Sequence, residues 1–198
     1  TLFVGTNAGF LHAFDDSNGR EIFSFIPREL FAKQLDLYSN SSATPHIYGL
    51  DGPIVPWIVD PDGDGIVLSS GGAVQTGNHV YLYVGMRRGG RNYYALDVVD
   101  RAHPKMLWEI KGGTTAGFNN LGETWAQPLK AKVRINNVEH KVLIISGGYD
   151  ANQDISTKRD TLATDSMGNA VYIVDYDTGA LVWSGSSATG STKVFSDM

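Results

Sequence analysis

A Gly-Gly-Arg turn between two alternating strands constrains this chain more than any other feature. The stretch HVYLYVGMRRGGRNYYALD runs from His79 to Asp97. Val80, Leu82 and Val84 alternate with Tyr81, Tyr83 and Gly85. After Arg87, Arg88, Gly89, Gly90 and Arg91 the pattern resumes at Tyr93-Tyr94-Ala95-Leu96-Asp97. Alternating β-branched and aromatic residues around a glycine pair predict a hairpin, the glycines supplying the positive φ of its turn.

The same unit occurs twice more. Leu2-Phe3-Val4-Gly5, Leu11-His12-Ala13-Phe14-Asp15 and Glu21-Ile22-Phe23 form an early copy. Val142 to Gly148, Ala170 to Asp175 and Leu181-Val182-Trp183 form a late one, and Met106-Leu107-Trp108 closes the middle one. Each copy is a strand ending in Gly, a strand ending in Asp, a polar turn and a strand ending in an aromatic. A repeat of three or four short strands predicts an all-β chain, part of a β-propeller, because one small sheet cannot bury both its faces alone. Blade repeats are expected near 1–26, 54–110 and 124–185. At about 40–50 residues per blade the length gives about three to four blades. The chain opens in mid-strand at Leu2 and stops abruptly at Met198, so one partial domain over 1–198, cut at both ends, is the expectation.

Between the first two copies the period changes. PRELFAKQLDL, from Pro27 to Leu37, places Leu30, Phe31, Gln34, Leu35 and Leu37 largely on one helical stripe, which predicts a short amphipathic helix near 28–37 covering apolar surface. Ile66-Val67-Leu68 reads as a further strand. Thr124 to Pro128 reads as the start of the third blade. Residues 149–169 form a long insertion without apolar periodicity, and such loops are often functional.

Composition excludes several classes. The net charge is −5 and no basic run exceeds Arg87, Arg88 and Arg91, which argues against a nucleic-acid surface. With no cysteine, disulfides and thiolate metal sites are excluded. No apolar run approaches the ~20 residues of a membrane span. The histidines lack zinc spacing. No Gly-x-Ser-x-Gly or phosphate-loop sequence occurs, and no nucleophile–base pair stands out.

Two acidic clusters are candidate calcium sites. Asp60, Asp62 and Asp64 alternate before Gly65 like the opening of an EF-hand loop, with the Ile66 carbonyl available as a further ligand. Leu68 and Gly71 stand where later oxygen ligands belong, so a solvated acidic turn is the alternative. Asp150, Asn152 and Asp154 form the second cluster, with Asp160 and Asp165 as further oxygens; a solvated acidic loop is its alternative. The three arginines offer recognition of a carboxylate or anionic surface, or merely a soluble hairpin tip. The aromatic-ended strands suggest either interblade core or stacking on a quinone.

The segment Gly89-Gly90-Arg91-Asn92-Tyr93-Tyr94-Ala95-Leu96-Asp97-Val98 resembles a signature of PilY-type proteins, with Asn92 in place of the usual Gly. His46, Tyr48, Asp51 and Gly52 upstream, and Leu107-Trp108-Glu109, Leu121-Gly122, Thr124 and Gly147-Gly148-Tyr149 downstream, follow the family in order. The resemblance implies a modified quinoprotein-type propeller from a type IV pilus biogenesis factor or tip adhesin. It further implies a non-catalytic scaffold in biogenesis, retraction control and surface adhesion, with minor pilins or the pilus-tip complex, and a host or abiotic surface, as partners. The expected location is extracellular, at the cell surface or pilus tip, after transit through the periplasm or outer membrane. The resemblance implies that the family's better-known calcium loop would fall just beyond Met198, so it is not carried over. A quinoprotein dehydrogenase fragment and a carbohydrate- or protein-binding propeller are the rival readings.

Overall fold

The aspartate closing each repeat explains where the chain turns. Asp15 accepts the Ser17 amide at 2.9 Å, Asp97 the Val99 amide at 3.1 Å and Asp175 the Asp177 amide at 3.1 Å. A carboxylate that bonds its own backbone two residues on fixes a turn, and here it does so at the close of each repeat. The same periodicity appears in the sheets. A bulge interrupts the pairing at Ala13/Phe14, Ala95/Leu96 and Ile173/Val174, one or two residues before the aspartate in each copy.

The computed structural model describes residues 1–40, 46–68, 72–155, 165–186 and the backbone of 193–194. The first sheet contains β1 (Leu2–Gly5), β2 (Leu11–Phe14) and β3 (Glu21–Phe25). The second contains β4 (Ile54–Val59), β5 (His79–Gly85), β6 (Asn92–Asp97) and β7 (Lys105–Lys111). The third runs from β8 (Leu129–Ile135) through β9 (Val138–Ser146) and β10 (Ala170–Asp175) to β11 (Leu181–Ser186), with β12 (Lys193–Val194) parallel at its edge. Apart from β12, every strand pairs antiparallel with its sequence neighbour, the pattern of propeller blades. Pro56 is tolerated because β4 is a sheet edge. Lys130 of β8 reaches its carbonyl at 2.8 Å, so the first strands of the second and third blades meet.

The blades pack through opposite faces of β5 and β6. Tyr83, Tyr93 and Ala95 join Trp108, Phe118, Leu143, Ile145 and Tyr172 in one core. Leu82, Val84, Tyr94 and Leu96 join Leu11, Leu30 and Leu50 in the other. Tyrosine hydroxyls pin these contacts. Tyr81 donates to Asp177 at 2.8 Å, Tyr83 to the Tyr176 carbonyl at 2.9 Å and Tyr93 to the Ala126 carbonyl at 2.8 Å. Tyr94 donates to Glu29 at 3.2 Å. Trp108 stacks on Tyr83 with ring centroids 5.7 Å apart and belongs to the interblade core.

Because the strands alternate in direction, connections alternate between two ends. The aspartate turns and residues 60–68 and 72–78 lie at one, the aspartate end. Residues 6–10, 26–40, 46–53, 86–91, 112–128, 147–155 and 165–169 lie at the other, the glycine end. Here main chain packs on main chain. A Cβ on Gly89 would stand 1.7 Å from the Gly49 carbonyl oxygen, and one on Gly52 would stand 2.1 Å from that of Gly85. Backbone bonds cross the blades: Leu50 N–H to the Thr6 carbonyl, Arg87 N–H to that of Thr124, and Glu123 N–H to that of Tyr149. Thr124, fully buried, accepts the Met86 amide on its hydroxyl at 2.7 Å.

Several sequence expectations need correction. The hairpin turn takes its left-handed residue at Arg87 (φ 55), whereas its glycines are required for close approach. The helix begins as a 3₁₀ coil over Arg28–Lys33 and becomes α1 only at Gln34–Ser39. Of its stripe only Leu30 is buried; Phe31 and Leu35 are exposed, Leu37 is half-buried, and Tyr38, just past the stripe, is exposed as well. Ile66–Leu68 is not a strand. β4 pairs directly with β5, so no strand lies between them, and Leu68 makes one isolated bridge to Val74. Thr124 to Pro128 precedes β8 instead of opening it, since Glu123 and Thr124 are spent on bridges between connections.

Candidate functional site

At the aspartate end, β4 delivers Asp60 into a tight acidic turn. Its carboxylate accepts the amides of Gly63 at 3.1 Å and Gly65 at 2.8 Å, and Asp64 accepts that of Ile66 at 2.7 Å. This wrapping brings one oxygen from each of Asp60, Asp62 and Asp64 within 4.8 Å of the others. The crowding is visible electrostatically. A hydrogen bond shared with Asp60 pushes the Asp62 carboxyl above its ordinary value, while the Gly65 amide helps hold Asp60 below it. Three hard oxygens at one point suit a divalent cation such as calcium. The Ile66 carbonyl is engaged by Asn78 Nδ2 at 2.9 Å, and Leu68 contributes no carboxylate.

The second acidic cluster is dispersed. Asp150 is buried and accepts the Asn152 amide at 3.0 Å and the Ser166 amide at 2.6 Å. Burial raises its pKa, but these bonds outweigh that and hold it low. Asn152 turns its side chain to Ser166, and Asp154 accepts the Tyr149 hydroxyl at 2.8 Å. Asp150 therefore caps the 3₁₀ turn Ala151–Asp154. Asp165 accepts from Gln153, and Asp160 lies outside the described residues.

At the glycine end the three hairpin arginines separate into different tasks. Arg91 ties down the connection after β7, donating from Nε to the Leu121 carbonyl at 2.6 Å and from Nη2 to that of Asn119 at 3.0 Å. Arg87 lies over Trp125, its guanidinium 4.5 Å from the ring centroid, with a 3.7 Å approach to Asp51. Arg88 packs over Tyr48 at 5.2 Å and Trp125 at 5.6 Å and pairs with Asp154 at 3.3 Å. Its Nε, and Oδ1 of Asp51, are buried without a partner.

Arg88, Trp125, Ala126 and Tyr149 line a mostly apolar cleft of about 510 Å³. Trp125 and Tyr149 meet edge-on, with centroids 6.0 Å apart. Burial raises the Glu123 carboxyl, which accepts Trp125 Nε1 at 2.9 Å. Sequence reasoning singled out the arginines, noted Tyr48 and Tyr149 only as positions of the family resemblance, and gave Trp125 and Glu123 no role; three separate connections supply these four residues. Aromatics outside any strand alternation were the available signal. No described helix is long and apolar enough to cross a membrane.

Comparison with known proteins places these features in a family. A family model described as the PilY1 beta-propeller domain matches residues 1–194. Type IV pilus biogenesis factor PilY1 of Pseudomonas aeruginosa PAO1 is 32% identical over 181 residues, 91% of this chain and 13% of that protein. A PilY1 homolog of Xylella fastidiosa is 31% identical over 131 residues, 66% of this chain and 9% of that protein. This chain thus spans about a tenth of the length of these relatives. The crystal structure of the P. aeruginosa PilY1 C-terminal domain matches with a TM-score of 0.57 and 30% identity. The match covers 98% of this chain and 31% of that one.

Proposed function

The chain belongs to the PilY1 β-propeller family, and on that premise we propose that it is a non-catalytic scaffold serving type IV pilus biogenesis, retraction control and surface adhesion. The observation that carries this reading is the match along 98% of the chain to a solved PilY1 domain. The partners proposed are minor pilins or the tip complex on one side and a host or abiotic surface on the other. The proposed location is extracellular, at the cell surface or pilus tip. A propeller suits such a role because it presents broad rigid ends built from loops. The test deletes this segment in its host and scores surface pili, twitching and attachment. Loss of at least one is expected, and normal behaviour in all three refutes the proposal.

Calcium regulation is part of the proposal. Asp60, Asp62 and Asp64 would supply three carboxylates to the ion, with solvent completing the shell. The non-catalytic reading is supported by where the parts lie. A quinoprotein enzyme needs its carboxylate and calcium beside a quinone pocket. Here the acidic turn is exposed, and Trp108 is committed to the interblade core. A dye-linked oxidation assay with added quinone and calcium is expected to show no turnover.

A further inference from the structure

The cleft at the glycine end already holds a carboxylate at its rim. Asp154 bonds two of the lining residues, accepting from the Tyr149 hydroxyl at 2.8 Å and pairing with Arg88 at 3.3 Å. Behind it the walls are aromatic, and a volume of about 510 Å³ lies in the range of ligand-binding clefts. Arg88 keeps an unpartnered Nε, and no hydrogen bond from the Arg87 side chain is found among the described residues. Guanidinium groups of this kind favour planar oxygen pairs.

We infer that this cleft binds an acidic–aromatic segment of a protein partner. An aromatic or long aliphatic side chain enters the cleft and packs on the wall that Trp125 and Tyr149 form together. The adjacent Asp or Glu carboxylate takes Arg88, displacing Asp154. The chain's own aspartate is the stand-in that shows what the rim recognises.

A protein is favoured over an acidic sugar by what surrounds the cleft. Phe31, Leu35 and Tyr38, spaced four and three residues apart, are exposed by 57%, 74% and 89% at the same end. Lys33 joins their helix to the residues around Arg88, donating to the Tyr48 carbonyl at 3.3 Å and to that of Gly89 at 3.2 Å. Exposed apolar surface of this kind, with Trp, Tyr and Arg concentrated beside it, has the composition of protein interfaces. This inference stands on the cleft and not on the pilus reading, so either can fail alone.

The test uses the full chain and an array of short synthetic peptides pairing Asp or Glu with Trp, Tyr, Phe or Leu. Control peptides carry Asn or Gln at the acid or Ser at the apolar position, and a glucuronate oligosaccharide forms a separate arm. Affinities of the best peptide are then read by fluorescence anisotropy. Both the acid and the apolar residue are expected to be required. Arg88→Glu and Trp125→Ala should each weaken binding by at least about tenfold. Asp154→Asn should tighten it several-fold, because it frees Arg88 from an internal competitor. Thermal melts establish that the variants fold. Arg88→Gln, which keeps the packed stem, serves if Arg88→Glu does not fold. No peptide binding, binding indifferent to Arg88 and Trp125, weaker binding in Asp154→Asn, or binding of the oligosaccharide alone would each overturn the inference.

Discussion

Replacing Thr124 by valine tests whether one hydroxyl holds the seam between the second and third blades. Valine keeps the volume and removes the oxygen. The Met86 amide then loses its acceptor at 2.7 Å in a site where both residues are buried. An orphaned buried donor costs about 1–3 kcal/mol. The Asn92 carbonyl also loses a donor at 3.1 Å, which adds about 0.5–1 kcal/mol. The sum is roughly 1.5–4 kcal/mol, or about 3–16 °C in melting midpoint for a chain of this size. Thr124→Ser is the control, because it keeps the hydroxyl and gives up one methyl, about 1 kcal/mol and about 3 °C. Thermal and urea denaturation of the three proteins read the difference directly. A valine variant as stable as the serine variant would refute the reasoning, since shape and not the hydroxyl would then be holding the seam.

Gly89→Ala drives a Cβ to 1.7 Å from the Gly49 carbonyl oxygen, so a loss of about 3 kcal/mol or more is expected by denaturant titration. Gly63→Ala has nothing within 4 Å and should cost only the left-handed backbone, about 1 kcal/mol. Calcium in excess should raise the melting midpoint, by about 2.7 kcal/mol of stability at a hundred times Kd. Asp62→Ala and Asp64→Ala should each abolish that rise, whereas Asp150→Ala should lower the midpoint and leave the calcium response intact. For pH, burial pushes the Glu29 carboxyl up, but Lys111 and other donors outweigh it and hold it below 4.5. Its contribution is therefore complete above 4.5 and lost as pH falls through its lower folded value. Glu109, raised by burial and by Glu29, has the opposite slope. Glu29→Gln should thus be less stable than the parent at neutral pH, with the gap in urea midpoint closing in acid.

What the sequence made legible was whatever is local and repeated. The aspartate, the polar turn after it and the aromatic within each third strand (Phe23, Trp108, Trp183) recur in the same order, and β5 and β6 alternate, so the propeller could be read from them. Contacts between distant connections left no such trace. Thr124 reads as an ordinary strand residue until Met86 is placed above it. The periodicity of 28–37 told which residues share a side, but not whether that side meets a core, and most of it faces outward. The glycine pair signalled a turn correctly while concealing its reason, because close packing and positive φ both demand glycine. For the acidic clusters, alternation at 60–64 survived folding as convergence. At 150–154 the same alternation was consumed by a cap and a tyrosine.

The seam of glycines gives the molecule unequal stiffness. At the glycine end successive connections are stitched by main-chain bonds that leave little slack, from Leu50–Thr6 through Arg87–Thr124 to Glu123–Tyr149. At the aspartate end the blades are joined by side chains, such as Tyr81 to Asp177 and Arg101 to Thr1. Side chains can change rotamer under load, whereas abutting backbones cannot. A pull applied along the strands would therefore splay the blades like the ribs of a fan, pivoting on the stitched end. The aromatic cleft lies at that pivot, where the deformation is smallest.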